Sequence, residues 1–171
     1  MSLSHRSSHL LPPARTWFIV VSLLMALLLN YIPTGRVSGV PDWVALVLTF
    51  WCVREPQRVG MRVAMGLGLL VDIGQGAAIG QHALAYVTLA FLAALVARRI
   101  LWFPSWKQAL QLWPLFLLAQ AIMVAVRLLG GGEFPGWAYF ASSFTTAALW
   151  PTCTVLLLWP QVKAAADEEQ Y

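Results

Sequence analysis

Apolar runs as long as a bilayer is thick recur along the whole chain, joined by short polar segments. That recurrence constrains the fold more than any motif does. The hydrocarbon core of a bilayer needs about 20 apolar residues per helix, and a chain of 171 residues has room for five or six such helices and little else. Charged residues make up 11% of the chain, against roughly a quarter in a soluble domain. So few charges cannot coat a water-facing surface, but they suffice for loops and tails. The chain reads as one all-α integral membrane domain of about six helices, with residues 1–15 and 160–171 as tails.

The expected helices are Thr16–Ile32, Pro41–Val53, Met61–Ile73, Gln81–Leu101, Gln108–Leu129 and Gly136–Trp159. The third continues into a glycine-rich stretch ending at Gly80. Pro33–Pro41, with Gly35 and Gly39, reads as a turn. The second helix is short for a span, which suits an element that tilts little or is partly shielded by its neighbours. Pro114 and Pro151 fall inside helices, where adjacent helices can satisfy the freed carbonyls. Arg6 and Arg15 precede the first apolar run as in a signal peptide, but no small-residue cleavage site follows, so that run reads as a retained helix.

Charge placement orients the bundle. With six helices and the N-terminus inside, the inner segments carry Arg6, Arg15, Arg54, Arg58, Arg62, Arg98, Arg99, Lys107 and Lys163, and the outer ones only Arg36 and Arg127. This follows the positive-inside rule for short loops and puts both termini in the cytoplasm of a bacterial inner membrane. The net charge of +4 is then a topology signal rather than a nucleic-acid footprint. Tryptophans agree: Trp17, Trp51, Trp102, Trp106 and Trp159 fall near the expected inner boundary, Trp43 and Trp137 near the outer, and Trp113 and Trp150 deeper, where they would pack between helices.

One segment is chemically unusual: Gly66–Leu84, GLGLLVDIGQGAAIGQHAL. It sets Asp72 at the edge of an apolar span, about 18 Å along from Gly60 at 1.5 Å per residue. A carboxylate at the centre of a membrane helix costs about 2.5–3.5 kcal/mol, less toward an interface. Ala64, Gly68 and Asp72 share one helix face, and Gly76–Gly80 matches G-x-x-x-G. Gly74, Gly76 and Gly80 also allow a tight reversal into the next helix. Three uses for Asp72 follow, in descending order. It accepts backbone N–H bonds in the glycine turn or pairs with Arg127; it contributes to a partner-binding face; or it couples an ion or solute.

The remaining polar residues are weaker candidates. His82 has no acidic, Cys or His neighbour at ligand spacing, and His5 and His9 lie in the N-terminal tail. Cys52 and Cys153 sit in apolar runs as small packing residues. Asn30, Gln120 and the run Ser142–Thr146 are expected to bond across helices or back to their own carbonyls. No catalytic, nucleotide or metal motif is present, so neither enzyme chemistry nor a cofactor is expected.

Gly68–Leu84 resembles the signature of the MreD family of rod shape-determining proteins, through Gly68, Leu69, Leu70, Asp72, Gly76, Gly80, Ala83 and Leu84. The length, span count and short basic loops are similar to that family across nearly the whole chain. The resemblance implies a non-catalytic inner-membrane component of the cell-elongation, peptidoglycan-synthesising machinery. It implies MreC as partner and, through it, MreB, RodA and its transpeptidase. It gives Gly68, Asp72, Gly76 and Gly80 a partner-binding or structural role and leaves a homo-oligomer open. It also implies a fold similar to the six-helix substrate-binding subunits of energy-coupling-factor transporters. From that comes the alternative reading, a solute-binding transporter subunit, which the small number of convergent polar groups disfavours.

Overall fold

The structure is a computed structural model and describes residues 14–32 and 39–168. The expected residues Arg6, Gly35 and Arg36, His5 and His9, and most of the first turn lie outside the described residues. The helices are α1 (Thr16–Asn30), α2 (Trp43–Arg54), α3 (Met61–Gln75), α4 (Gln81–Ile100), α5 (Ser105–Leu129), α6 (Ala141–Ala148) and α7 (Trp150–Glu168). A short 3₁₀ turn, Trp137–Phe140, leads into α6. There is no strand among the described residues. Three helical stretches are long and apolar enough to cross a membrane: Gln81–Ile100, Ser105–Leu129 and Trp137–Lys163, the last being the 3₁₀ turn, α6 and most of α7 in line. With α1, α2 and α3 they make the six-helix bundle expected from the apolar runs.

α2 is the centre of that bundle. It has 12 residues, about 18 Å of helix at 1.5 Å per residue, well short of the roughly 30 Å hydrocarbon core. Nine of its twelve residues are buried, and it packs against α1, α4, α6 and α7. A helix surrounded by protein need not match the bilayer, because its ends meet polar side chains rather than lipid. Phe50, Trp51 and Trp150 form an aromatic cluster on it, with Phe18 closing the other side of Trp51.

Several boundaries differ from the sequence reading, each for a local reason. α2 starts at Trp43 rather than Pro41, because Asp42 takes the N-cap: its carboxylate accepts the Ala45 N–H at 2.9 Å. α5 starts a turn early at Ser105, directly after Pro104. The last span divides at Leu149, where Pro151 cannot donate to the carbonyl four residues back. The helix then continues through Pro160 to Glu168 instead of ending at Trp159, since the run Ala164–Ala166 favours helix and only one carbonyl loses its donor at Pro160. Trp51, in the last turn of α2, does not face lipid: it is fully buried, and its indole N–H donates to Ser22 Oγ at 2.8 Å. Trp17, Trp102, Trp106, Trp137 and Trp159 are exposed.

The two ends of the bundle differ in chemistry. Arg15, Arg54, Arg58, Arg62, Arg98, Arg99, Lys107 and Lys163 gather at one end, where Arg58 donates to the Ala14 carbonyl at 2.6 Å and ties the start of α1 to the α2–α3 loop. The other end holds the glycine turn between α3 and α4, the α5 exit at Gly130–Gly132, the 3₁₀ turn, and Arg127 as its cation among the described residues.

Candidate functional site

The site at the glycine end is built by a turn that reverses the chain in five residues. α3 ends at Gln75, and Gly76 takes a left-handed conformation, φ +61°, which closes the helix with two bonds. Ala77 N–H donates to the Asp72 carbonyl at 3.0 Å and Gly76 N–H to the Ile73 carbonyl at 3.4 Å, the pairing of a Schellman ending. Gly80, φ +96°, then starts α4. Both positions favour glycine because a Cβ is strained at such φ.

This turn delivers the first N–H groups of α4 to a carboxylate on α3. Asp72 Oδ1 accepts the His82 N–H at 2.8 Å and the His82 ring Nδ1 at 2.8 Å. Asp72 Oδ2 accepts the Gly80 N–H at 2.9 Å and the Ala83 N–H at 3.4 Å. The first donors of a helix have no partner within it, and a negative charge there is favoured by the helix dipole. Asp72 therefore caps α4 from a neighbouring helix. Its side chain is 0% exposed; burying it is tolerable because the N–H groups of Gly80, His82 and Ala83 and the His82 ring point at it.

The cap forms only if the helices touch. A Cβ on Gly68 would lie 2.3 Å from Ala83 Cα, 2.5 Å from Ala83 N and 2.8 Å from the His82 carbonyl carbon. Gly68 thus brings α3 backbone against α4 backbone, one turn from Asp72. Gly74 makes room for a side chain at the end of α1: its Cβ would overlap the Tyr31 ring, whose hydroxyl donates to the Leu70 carbonyl at 2.6 Å.

A second, half-buried carboxylate lies near the same end. Besides capping α2, Asp42 accepts the Tyr86 hydroxyl at 2.9 Å with both oxygens, and its own N–H donates to Thr146 Oγ1 at 3.0 Å. Asn30 Oδ1 accepts the Trp43 N–H at 3.1 Å, and Thr145 donates to the Gly39 carbonyl at 2.7 Å. Thus α1, α2, α4 and α6 are joined around the start of α2.

Against known families, residues 14–160 match the model described as rod shape-determining protein MreD. The chain belongs to the MreD family. It is also 28% identical over 148 residues to "Rod shape-determining protein MreD" of Haemophilus influenzae, covering 82% of this chain and 89% of that protein. No solved structure matches. Membership makes this chain a rod shape-determining membrane protein, in keeping with its membrane-length helices.

The MreD signature residues can now be placed. Gly68 and Asp72, with Ala64, are buried against α4. Gly76 and Gly80 are not a helix-packing G-x-x-x-G pair: α3 has ended before Gly76, and both have positive φ in the turn. Asp72 pairs with His82, not Arg127, which is exposed at the α5 exit. His82, to which the sequence reading attached no role, is 6% exposed and bonded to Asp72 through both backbone and ring. Asp42 and Tyr86 were missed as well. The Pro41-Asp42 pair before an apolar run carried an N-cap signal for Asp42; nothing in the sequence marked Tyr86 as its partner. The polar residues of the last span behave as expected: Ser142 bonds Gln120, Ser143 bonds Trp113 at 3.2 Å, and Thr146 donates back to the Ser142 carbonyl at 2.7 Å. Cys52 and Cys153 are buried and free.

Proposed function

We propose that this MreD-family chain acts as a non-catalytic scaffold of the cell-elongation machinery in the bacterial inner membrane, with both termini cytoplasmic, binding MreC and thereby the wall-synthesis proteins. The observation that carries the reading is the family match over residues 14–160. The chemistry of buried Asp72 and half-buried Asp42 is in keeping with it: each is engaged by donors of the chain itself, which suits holding a shape rather than exchanging protons. The basic end supports the topology through the positive-inside rule. The outer face of α1, with Val20, Val21, Leu24, Met25 and Leu28 exposed, offers an apolar surface of the kind that membrane helices meet by close packing.

Affinity purification of the tagged chain from cross-linked host membranes tests this. MreC recovered together with wall-synthesis enzymes is the expected result. Recovery of a transporter's energising ATPases without them would refute the scaffold and establish the transporter-subunit alternative.

A further inference from the structure

The glycine end holds a cavity of about 410 Å³ that the scaffold reading leaves without a use. Ligand pockets commonly fall at about 300–1,000 Å³. Its lining includes Gln75, Gln81, His82, Arg127, Gly132 and Tyr139, drawn from both sides of the α3–α4 turn and from the α5 exit.

Two of these side chains are more than nine-tenths buried and have unused hydrogen-bonding capacity. Gln81 is 8% exposed, and among the described residues its amide has no hydrogen-bond partner. That amide opens onto the cavity it lines, where its N–H groups and its oxygen are free for a ligand. His82 is 6% exposed. Its Nδ1 faces the Asp72 carboxylate at 2.8 Å, which accepts, so Nδ1 donates and Nε2 is the ring nitrogen left for a ligand. The Tyr139 hydroxyl donates to Met123 Sδ at 3.3 Å, a weak acceptor that an oxygen ligand would displace.

Arg127 is the cation that lines the cavity. Asp72 is sealed beneath His82 with 0% side-chain exposure and cannot reach a ligand. Arg127 is exposed and has no ion-pair partner among the described residues. Its stem lies over Gly132, where a Cβ would sit 2.8 Å from Arg127 Cγ. Glycine there lets the guanidinium rest along the cavity wall.

We infer that this cavity binds a phosphate-ester group, with the Arg127 fork, the Gln81 amide and the Tyr139 hydroxyl on its oxygens and His82 Nε2 hydrogen-bonded to the group or to its neighbouring alcohol. A planar guanidinium matches phosphate bidentately. The number of converging donors suits three or four oxygens better than the two of a carboxylate. The group could come from a free solute or from a lipid headgroup at the same level, and the site stands whether or not the scaffold reading does.

The test uses the full chain in detergent, followed by tryptophan fluorescence during thermal unfolding. The probes are glycerol 3-phosphate for the free source and short-chain phosphatidylglycerol below its micelle concentration for the lipid source, with acetate and glycerol as controls. A saturable rise in midpoint with either phosphate probe is expected, lipid alone assigning a headgroup site. Arg127→Gln and Gln81→Leu should each weaken it at least tenfold, while Arg98→Gln at the opposite end should not. Circular dichroism checks that each variant is folded, and if one is not, the other decides. No saturable response to either phosphate probe, an equal response to acetate, or undiminished binding in a folded Arg127→Gln or Gln81→Leu protein would overturn the site.

Discussion

Replacing Asp72 gives the sharpest prediction, because its partners are individually known. The carboxylate accepts three backbone N–H groups and one imidazole nitrogen, at 2.8, 2.8, 2.9 and 3.4 Å. Bonds to a charged group contribute about 1.5–3 kcal/mol each, and an orphaned buried donor costs about 1–3 kcal/mol. The 3.4 Å bond adds little, and the others share one acceptor, so they are not additive. Asp72→Ala should therefore lower stability by about 3–5 kcal/mol, well above the roughly 1 kcal/mol of an ordinary exposed cap. Asp72→Asn keeps the shape but turns one oxygen into a donor. In either amide orientation at least one N–H at the α4 start faces that donor, so a loss of about 2 kcal/mol follows. The assay is reversible unfolding in mild detergent with added denaturing detergent, read by tryptophan fluorescence. If both variants unfold within about 0.5 kcal/mol of the parent, Asp72 does not cap α4.

Four further substitutions use the same assay. Gly68→Ala should cost about 2–3 kcal/mol, because the new methyl meets α4 backbone; Gly66→Ala, two residues earlier with nothing within 4 Å, should be neutral or gain up to about 1 kcal/mol of helix propensity. Gly76→Ala should lose about 1–2 kcal/mol at its left-handed φ. Tyr86→Phe removes the donor to both oxygens of half-buried Asp42 and should cost about 1–2 kcal/mol.

How far these features could be read beforehand depended on the distance over which their causes act. Apolar run length is local, so all six spans were legible, even the 12-residue α2, whose shortness signalled shielding. The cost of a charge in lipid singled out Asp72. Its exact partners were hidden because the α4 donors reach it only through the φ of Gly76 and Gly80. For the same reason His82 looked idle: its partner is ten residues back across that turn. The Gly76–Gly80 spacing misled in the opposite direction, since G-x-x-x-G describes a helix face only where a helix exists. Tyr86 lies 44 residues from Asp42 and was beyond any local pattern. At the C-terminus, polarity after Trp159 marked the exit from the membrane, not the end of the helix.

The claim that the chain determines shape is tested most directly by depleting it from its own host and imaging the cells. The account predicts that rods widen and round up as the protein disappears, and that re-expressing the parent chain restores them. Cells that keep their rod dimensions after the protein has fallen below detection would contradict it.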